Sequence, residues 1–207
     1  SDHDGTIPEF IKESGSRLFA HESYDLLKAY RSWDIQDFSA TVLKRELSAI
    51  GKKMIDKDTF NQRAKSDGEY YHLRKSTKVN SNLSQGDNIG DMKVLSTPGH
   101  SPDQICLEID NILFTGDHVL PEITPHPTSK MVFKNSVNVH INASKEKLES
   151  LYGLGVYLKS LGVVARFANE TVLLPAHRLY NRGNLNEVDP SRAEDIIDHH
   201  SRRLARL

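Results

Sequence analysis

The sequence predicts an α+β protein in which helices cover sheets. Three observations lead there. Strand-like and helix-like segments alternate along the 207 residues. The central segment reads as an antiparallel hairpin, with Ile105, Leu107 and Ile109 spaced at period two, a turn at Asp110-Asn111, and an apolar run resuming at Ile112 to Phe114. An antiparallel centre argues against a purely parallel doubly wound sheet. Finally, segments near 144–161 and 191–207 carry leucines and isoleucines at helical spacing, so each has a stripe to lay on a sheet.

Composition sets the outer limits. With 37% hydrophobic and 27% charged residues the chain suits a soluble globular domain, and its length suffices for one substantial domain or two small ones. A net charge of -1 gives no broad electrostatic case for nucleic acid or an anionic membrane surface. The lone Cys106 rules out an internal disulfide, which fits a reducing cytosol, so a cytoplasmic location is the expectation. No apolar run reaches membrane-spanning length and no signal peptide is visible.

In chain order, Asp4 or Thr6 is placed to cap a helix over 7–14, with Pro8 in its first turn and Gly15 ending it. Residues 17–20 read as a strand. From about 23 to 68 the pattern is mostly helical, with Leu26, Leu27 and Tyr30 in one apolar cluster and Phe38, Val42, Leu43, Leu47 and Ile50 in another. We read this as a helical insertion packed on the domain; a lid or a dimerisation element is the alternative. Residues 69–73 suggest a strand, Gly86-Asp87 a turn, and Met92 to Leu95 a strand feeding Pro98-Gly99-His100. The stretch from Val119 to Pro127 contains three prolines and reads as an extended loop. Ser144 is positioned to cap a helix reaching about Leu161, with Leu148, Leu151, Leu154 and Leu158 on one face. Residues 170–174 form a strand that delivers Pro175-Ala176-His177, followed by a loop over 178–190. Ser191-Arg-Ala-Glu194 has capping-box form and opens a last helix, whose buried stripe is Ala193, Ile196, Ile197, His200, Leu204 and Leu207.

Candidate chemistry gathers at four places: Asp2-His3, Gly99-His100, Gly116-Asp117 and Ala176-His177. Each sits at the end of an apolar run or beside a small residue, and small neighbours allow close approach of the backbone to an ion. Imidazole and carboxylate are ordinary ligands of a hydrolytic metal such as zinc. Taken singly, each of these residues is as easily a surface or turn-capping group.

As an ordered set, these motifs resemble the metallo-β-lactamase fold superfamily, whose pattern is His-x-His-x-Asp-His, then Gly-His, Gly-Asp and a final Gly/Ala-His. Asp2-His3 matches the end of the first motif, Pro98-Gly99-His100 the second, Thr115-Gly116-Asp117 the third and Pro175-Ala176-His177 the fourth. The stretch from Gly116 to Pro125 is similar to hydroxyacylglutathione-hydrolase-like members. The resemblance implies a four-layer αββα sandwich, lacking its N-terminal strands in this chain. The two histidines of His-x-His would lie just before Asp2, so the chain is expected to be truncated there. The resemblance further implies two divalent ions, zinc first and iron or manganese as alternatives. Asp2, His3 and His177 would hold one, His100 would hold the other, and Asp117 would bridge them. Asp2 would also act catalytically by orienting a metal-bound hydroxide. The activity implied is hydrolysis of a small thioester, ester or lactone.

Other residues rank lower. His118 is read as a group that supports a metal ligand or reaches substrate, or simply as a packed histidine. Tyr180 and Arg182, just past His177, stand where they could meet substrate. His126 is weaker, Cys106 reads as a core residue, and His199-His200 as packing on the last helix. Two further functional readings remain: a metal-dependent phosphodiesterase or nuclease of the same fold, and a metal-poor relative that only binds. The expected partner is a small molecule rather than nucleic acid or membrane, with a homodimer left open.

Overall fold

The structure is a computed structural model and describes residues 4–29, 37, 75–136 and 144–206. Most of the expected helical insertion and the 69–73 strand lie outside the described residues. The chain divides into two compact units, residues 1–82 with 130–149, and residues 83–129 with 150–207.

In the first unit, α1 (Ile7–Ser14) stops at Gly15, which takes the left-handed conformation that a Cβ disfavours. Neither expected side-chain cap forms: Thr6 occupies the cap position without a side-chain hydrogen bond. Asp4 is instead buried and accepts a hydrogen bond from Tyr24 Oη at 3.2 Å. Strand β1 (Phe19–His21) pairs with β2 (Ser81–Leu83); just before them the Asn80 N–H donates to the Leu18 carbonyl and the Leu18 N–H donates to Asn80 Oδ1, both at 2.8 Å. Helix α2 (Tyr24–Ala29) follows β1. The unit closes with α3 (Lys145–Glu149), which Ser144 caps through its Oγ on the Lys147 N–H, as expected.

That helix does not continue to Leu161. It ends at Glu149, and a second helix, α4 (Leu154–Val164), begins after Gly153 at φ 105°. The glycine supplies a turn that the leucine spacing conceals. The break also changes the buried face. Tyr157, Ser160, Leu161 and Val164 point inward at i, i+3, i+4 and i+7, and the expected stripe of Leu154 and Leu158 is only partly buried.

The second unit is built on a five-stranded sheet, β3 (Asn88–Ile89), β4 (Met92–Ser96), β5 (Ile105–Ile109), β6 (Ile112–Gly116) and β7 (Val172–Pro175), in sequential order. The predicted hairpin is β5–β6, closed at Asp110 with φ 50°. β4 and β5 are antiparallel, as are β5 and β6, while β7 returns parallel to β6 after α4. Two reversals restore the original direction, so β4, β6 and β7 all run the same way and end at one edge of the sheet. Helix α5 (Ser191–Leu204) completes the unit. Leu95, Cys106, Leu113 and Leu173 on the sheet pack with Tyr157, Leu161 and Val164 of α4 and Ala193 and Ile196 of α5.

Three local expectations are corrected. Residues 178–190 are not all loop: β8 (Tyr180–Asn181) and β9 (Asn184–Leu185) form a small hairpin. Arg182 and Gly183 turn it at φ 51° and 84°, the pair of positive values that a two-residue hairpin turn needs. Ser191 is the first residue of α5 rather than its cap, and Asp189 Oδ1 accepts its N–H at 2.8 Å. Leu204 is half exposed, since it lies in the last turn of α5 beyond the packed length.

Candidate metal centre

Three of the five predicted ligands lie within the described residues, and the fold brings them together. His100 follows β4, Asp117 follows β6 and His177 follows β7, so each lies past the end of a strand at the shared sheet edge. Asp117 is buried, whereas the side chains of His100 and His177 keep 31% and 44% of their exposure. His100 Nε2 stands 3.4 Å from Asp117 Oδ2. His177 Nε2 stands 3.4 Å from Oδ1, the other oxygen of the same carboxylate. The result is a carboxylate floor with one imidazole beside each oxygen and solvent reaching the imidazoles. Asp2 and His3 lie outside the described residues.

Local chemistry explains each position. Gly116 turns the chain at φ 53°, where a side chain would be strained, and so swings Asp117 off the strand. The Gly116 carbonyl accepts the Ala176 N–H at 2.9 Å, which ties the aspartate loop to the His177 loop. Gln104 Nε2 donates to the Ile105 carbonyl at 2.9 Å and the Thr115 carbonyl at 3.3 Å, spanning the two hairpin strands just below the site. His100 Nδ1 lies 3.1 Å from the His126 carbonyl. A carbonyl only accepts, so Nδ1 carries the proton and Nε2 faces Asp117 with its lone pair. Thr128 steadies the same loop, its N–H and Oγ1 both donating to the Gly99 carbonyl at 2.7 and 3.0 Å.

Downstream, the Val119–Pro127 loop is pinned from two directions. Glu122 accepts from Asn181 Nδ2 at 2.7 Å and lies 3.7 Å from Arg178 Nη1. Arg192 of α5 donates to the Leu120 carbonyl at 2.9 Å. Sequence reasoning missed Gln104, Glu122, Thr128 and Arg192. All four act on backbone or on residues distant in sequence, and no local pattern marks them.

His118 follows Asp117 and turns the opposite way, into the interior. Its ring meets the Tyr157 ring edge-on at 5.3 Å. Burial lowers its pKa to about 4, an effect that the nearby Ser160 backbone only partly offsets and His100 reinforces. Among the described residues neither ring nitrogen makes a well-formed hydrogen bond, the Ser160 backbone being a polar neighbour of the ring. His118 is therefore a buried neutral ring beneath the site. Tyr180 is exposed at 73% and Arg182 occupies the hairpin turn, so both stand on the small hairpin beyond His177. Cys106 is buried in the core, where desolvation pushes its thiol up to about 12. This is the core role expected of it, since an un-ionised thiol is a poor nucleophile.

The donors fit a divalent transition ion in kind: two imidazole nitrogens and a carboxylate are ligands that zinc and iron share. They fall short in number. Among the described residues no group of three His, Cys, Asp or Glu side chains is arranged to hold an ion. Asp117 presents one carboxylate oxygen toward each of the two imidazoles.

Solved structures carry the same architecture. The chain is similar to a metallo-β-lactamase family protein from Thermus thermophilus at 20% identity and a TM-score of 0.58, covering 98% of this chain and 58% of that one. It is similar to a β-lactamase domain protein from Burkholderia ambifaria at 21% identity and a TM-score of 0.57, covering 98% and 53%. BLEG-1, a B3 metallo-β-lactamase, matches at 12% identity and a TM-score of 0.51, covering 94% and 69%. No protein-family model matches the sequence, and no curated protein does. The chain thus has the metallo-β-lactamase fold, an α+β architecture. It spans little more than half the length of the first two of these structures.

Proposed function

We propose that this chain is the metal-binding part of a metal-dependent hydrolase acting on a small thioester, ester or lactone. The observation that carries the reading is the single buried Asp117 carboxylate with His100 and His177 placed 3.4 Å from its two different oxygens. His177, joined by Asp2 and His3, would hold one divalent ion, His100 would hold a second, and Asp117 would serve both. When bound, such ions supply Lewis acidity and ionise water near neutral pH. The chain's own residues supply the rest. The His126 carbonyl fixes the tautomer of His100. Asp117 offers its two oxygens from a buried position, one toward each imidazole. Asp2 is the group we assign to orienting the nucleophile and passing a proton to the leaving group. The loop over 119–127 and the hairpin after His177 would form the substrate walls, with Tyr180 and Arg182 at their rim. The substrate class rests on the likeness of the Gly116–Pro125 stretch to hydroxyacylglutathione-hydrolase-like proteins. Zinc is the first choice of ion, and the site's chemistry accepts iron or manganese as well.

The test is metal content by plasma mass spectrometry of protein expressed from the full-length gene, with His177→Ala alongside. About two ions per chain, fewer in His177→Ala, together with turnover of a thioester or lactone panel, is the expected result. A folded protein that holds no ion, and takes up none from added zinc, iron or manganese, would overturn the reading.

A further inference from the structure

We infer that helix α4 sets the spacing between the His100 and Asp117 loops, and that Tyr157 and Ser160 are its positioning residues. This rests on the metal-centre reading above and deepens it.

Tyr157 Oη donates to the His118 carbonyl at 2.8 Å, one residue past Asp117. Ser160 Oγ donates to the Pro98 carbonyl at 2.7 Å, two residues before His100. Residues at i and i+3 share a helix face with their Cβ atoms about 5–6 Å apart. One rigid face therefore holds one point on each loop, and the distance between the points is set by helix geometry rather than by the loops. Both side chains are buried, and α4 is locked in the core through Leu161 and Val164, which are fully buried. The contact has no slack on the histidine side. A Cβ on Gly99 would lie 2.6 Å from Tyr157 Cα, so the loop rides directly on helix backbone. Burial also holds the Tyr157 phenol well above its ordinary pKa, so it remains a donor throughout the neutral range. A carbonyl buried without its donor recovers by moving, and here movement displaces a proposed ligand.

The experiment compares the wild-type protein with Tyr157→Phe, Ser160→Ala, the double variant and Ile196→Val, a control that truncates a fully buried side chain of α5 in the same core without removing a hydroxyl or touching α4. Zinc affinity is measured by competition with a chromophoric chelator, the visible spectrum of the cobalt-loaded protein reports ligand geometry, and thermal unfolding reports stability. Outer partners of metal ligands are typically worth about 10–100-fold in affinity. We expect the double variant to lose at least ~10-fold and to change the cobalt spectrum. The control is expected to keep both at a similar loss of stability, and Ser160→Thr, which retains the hydroxyl, to recover most of what Ser160→Ala loses. Unchanged affinity and spectrum in the double variant would overturn the positioning role and leave the metal centre standing. A wild-type protein that binds no ion would remove the metal centre and this role together. Should Tyr157→Phe not fold, the Ser160→Ala and Ser160→Thr pair decides the question alone.

Discussion

The two faces of the five-stranded sheet are both apolar, yet they are buried very differently. On one face Cys106, Leu113 and Leu173 are fully covered by α4 and α5. On the other, Val94, Leu107, Phe114 and Leu174 line up as cross-strand partners. There Val94 at the far side is fully buried, but Phe114 keeps 41% of its exposure and Val172 keeps 40%. The difference teaches where the site obtains its rigidity. Three of the donors that hold the loops around the site, Tyr157, Ser160 and Arg192, come from the helices of the covered face, beside Gln104 and Thr128 from the loops themselves.

The largest effect should come from breaking the covered face. Leu113→Ala removes a fully buried side chain of β6 and should cost about 2–5 kcal/mol in a urea titration. Phe114→Ala, one residue along, should cost no more than about 1 kcal/mol, because much of its ring is already in water. If the two variants cost the same, the second face is covered in solution and the comparison fails.

A change of pH should act on the covered face next. His200 of α5 is buried against the Tyr157 ring, with ring centroids 5.9 Å apart. Its pKa is lowered by burial first, then by His199 and Arg203 on its own helix and His126 in the loop. The folded form thus takes up a proton at lower pH than the unfolded form does. The unfolded chain binds protons first as pH falls below the ordinary histidine value near 6.5, so the contribution is present above that value and lost below it. Stability should decline with acidity from about pH 6.5 downward. Buried His118, lowered to about 4, drives the same decline, so His200→Phe should make that part of the profile shallower without removing it. A profile identical in His200→Phe would show that His200 is not among the groups responsible.

The sequence is legible where chemistry and period are local. The β5–β6 hairpin, the turn at Asp110, the strands ending before His100 and His177, and Ser144 as a cap were all readable, because each depends on neighbouring residues. His100, Asp117 and His177 were expected together only through the family resemblance of their ordered motifs, and the three side chains do lie side by side. What escaped depends on partners far away in the chain. The leucine spacing over 144–161 suggested one helix, yet Gly153 divides it and turns Tyr157, rather than Leu154, to the core. No local signal says that a tyrosine in that helix meets the carbonyl after Asp117, or that Glu122 meets Asn181. The hairpin after His177 was missed because Arg182 adopts a positive φ, which residue type alone does not announce.

The comparison can be sharpened without altering stability much by asking what a thiol reagent reaches. Cys106 is fully buried, its Sγ 3.3 Å from Thr97 Oγ1, and burial pushes its pKa to about 12. The reactive species is the thiolate, so at pH 8 the native protein should label only as fast as the covered face opens. Phe114→Cys in a Cys106→Ala background moves the thiol to the other face of the same sheet, 41% exposed in the parent side chain. That thiol should label at a rate set by reagent rather than by opening, and urea below the unfolding transition should accelerate Cys106 far more than Cys at 114. Equal native rates at the two positions would mean that α4 and α5 open freely over the sheet. In that case a helix could not fix the spacing of the His100 and Asp117 loops.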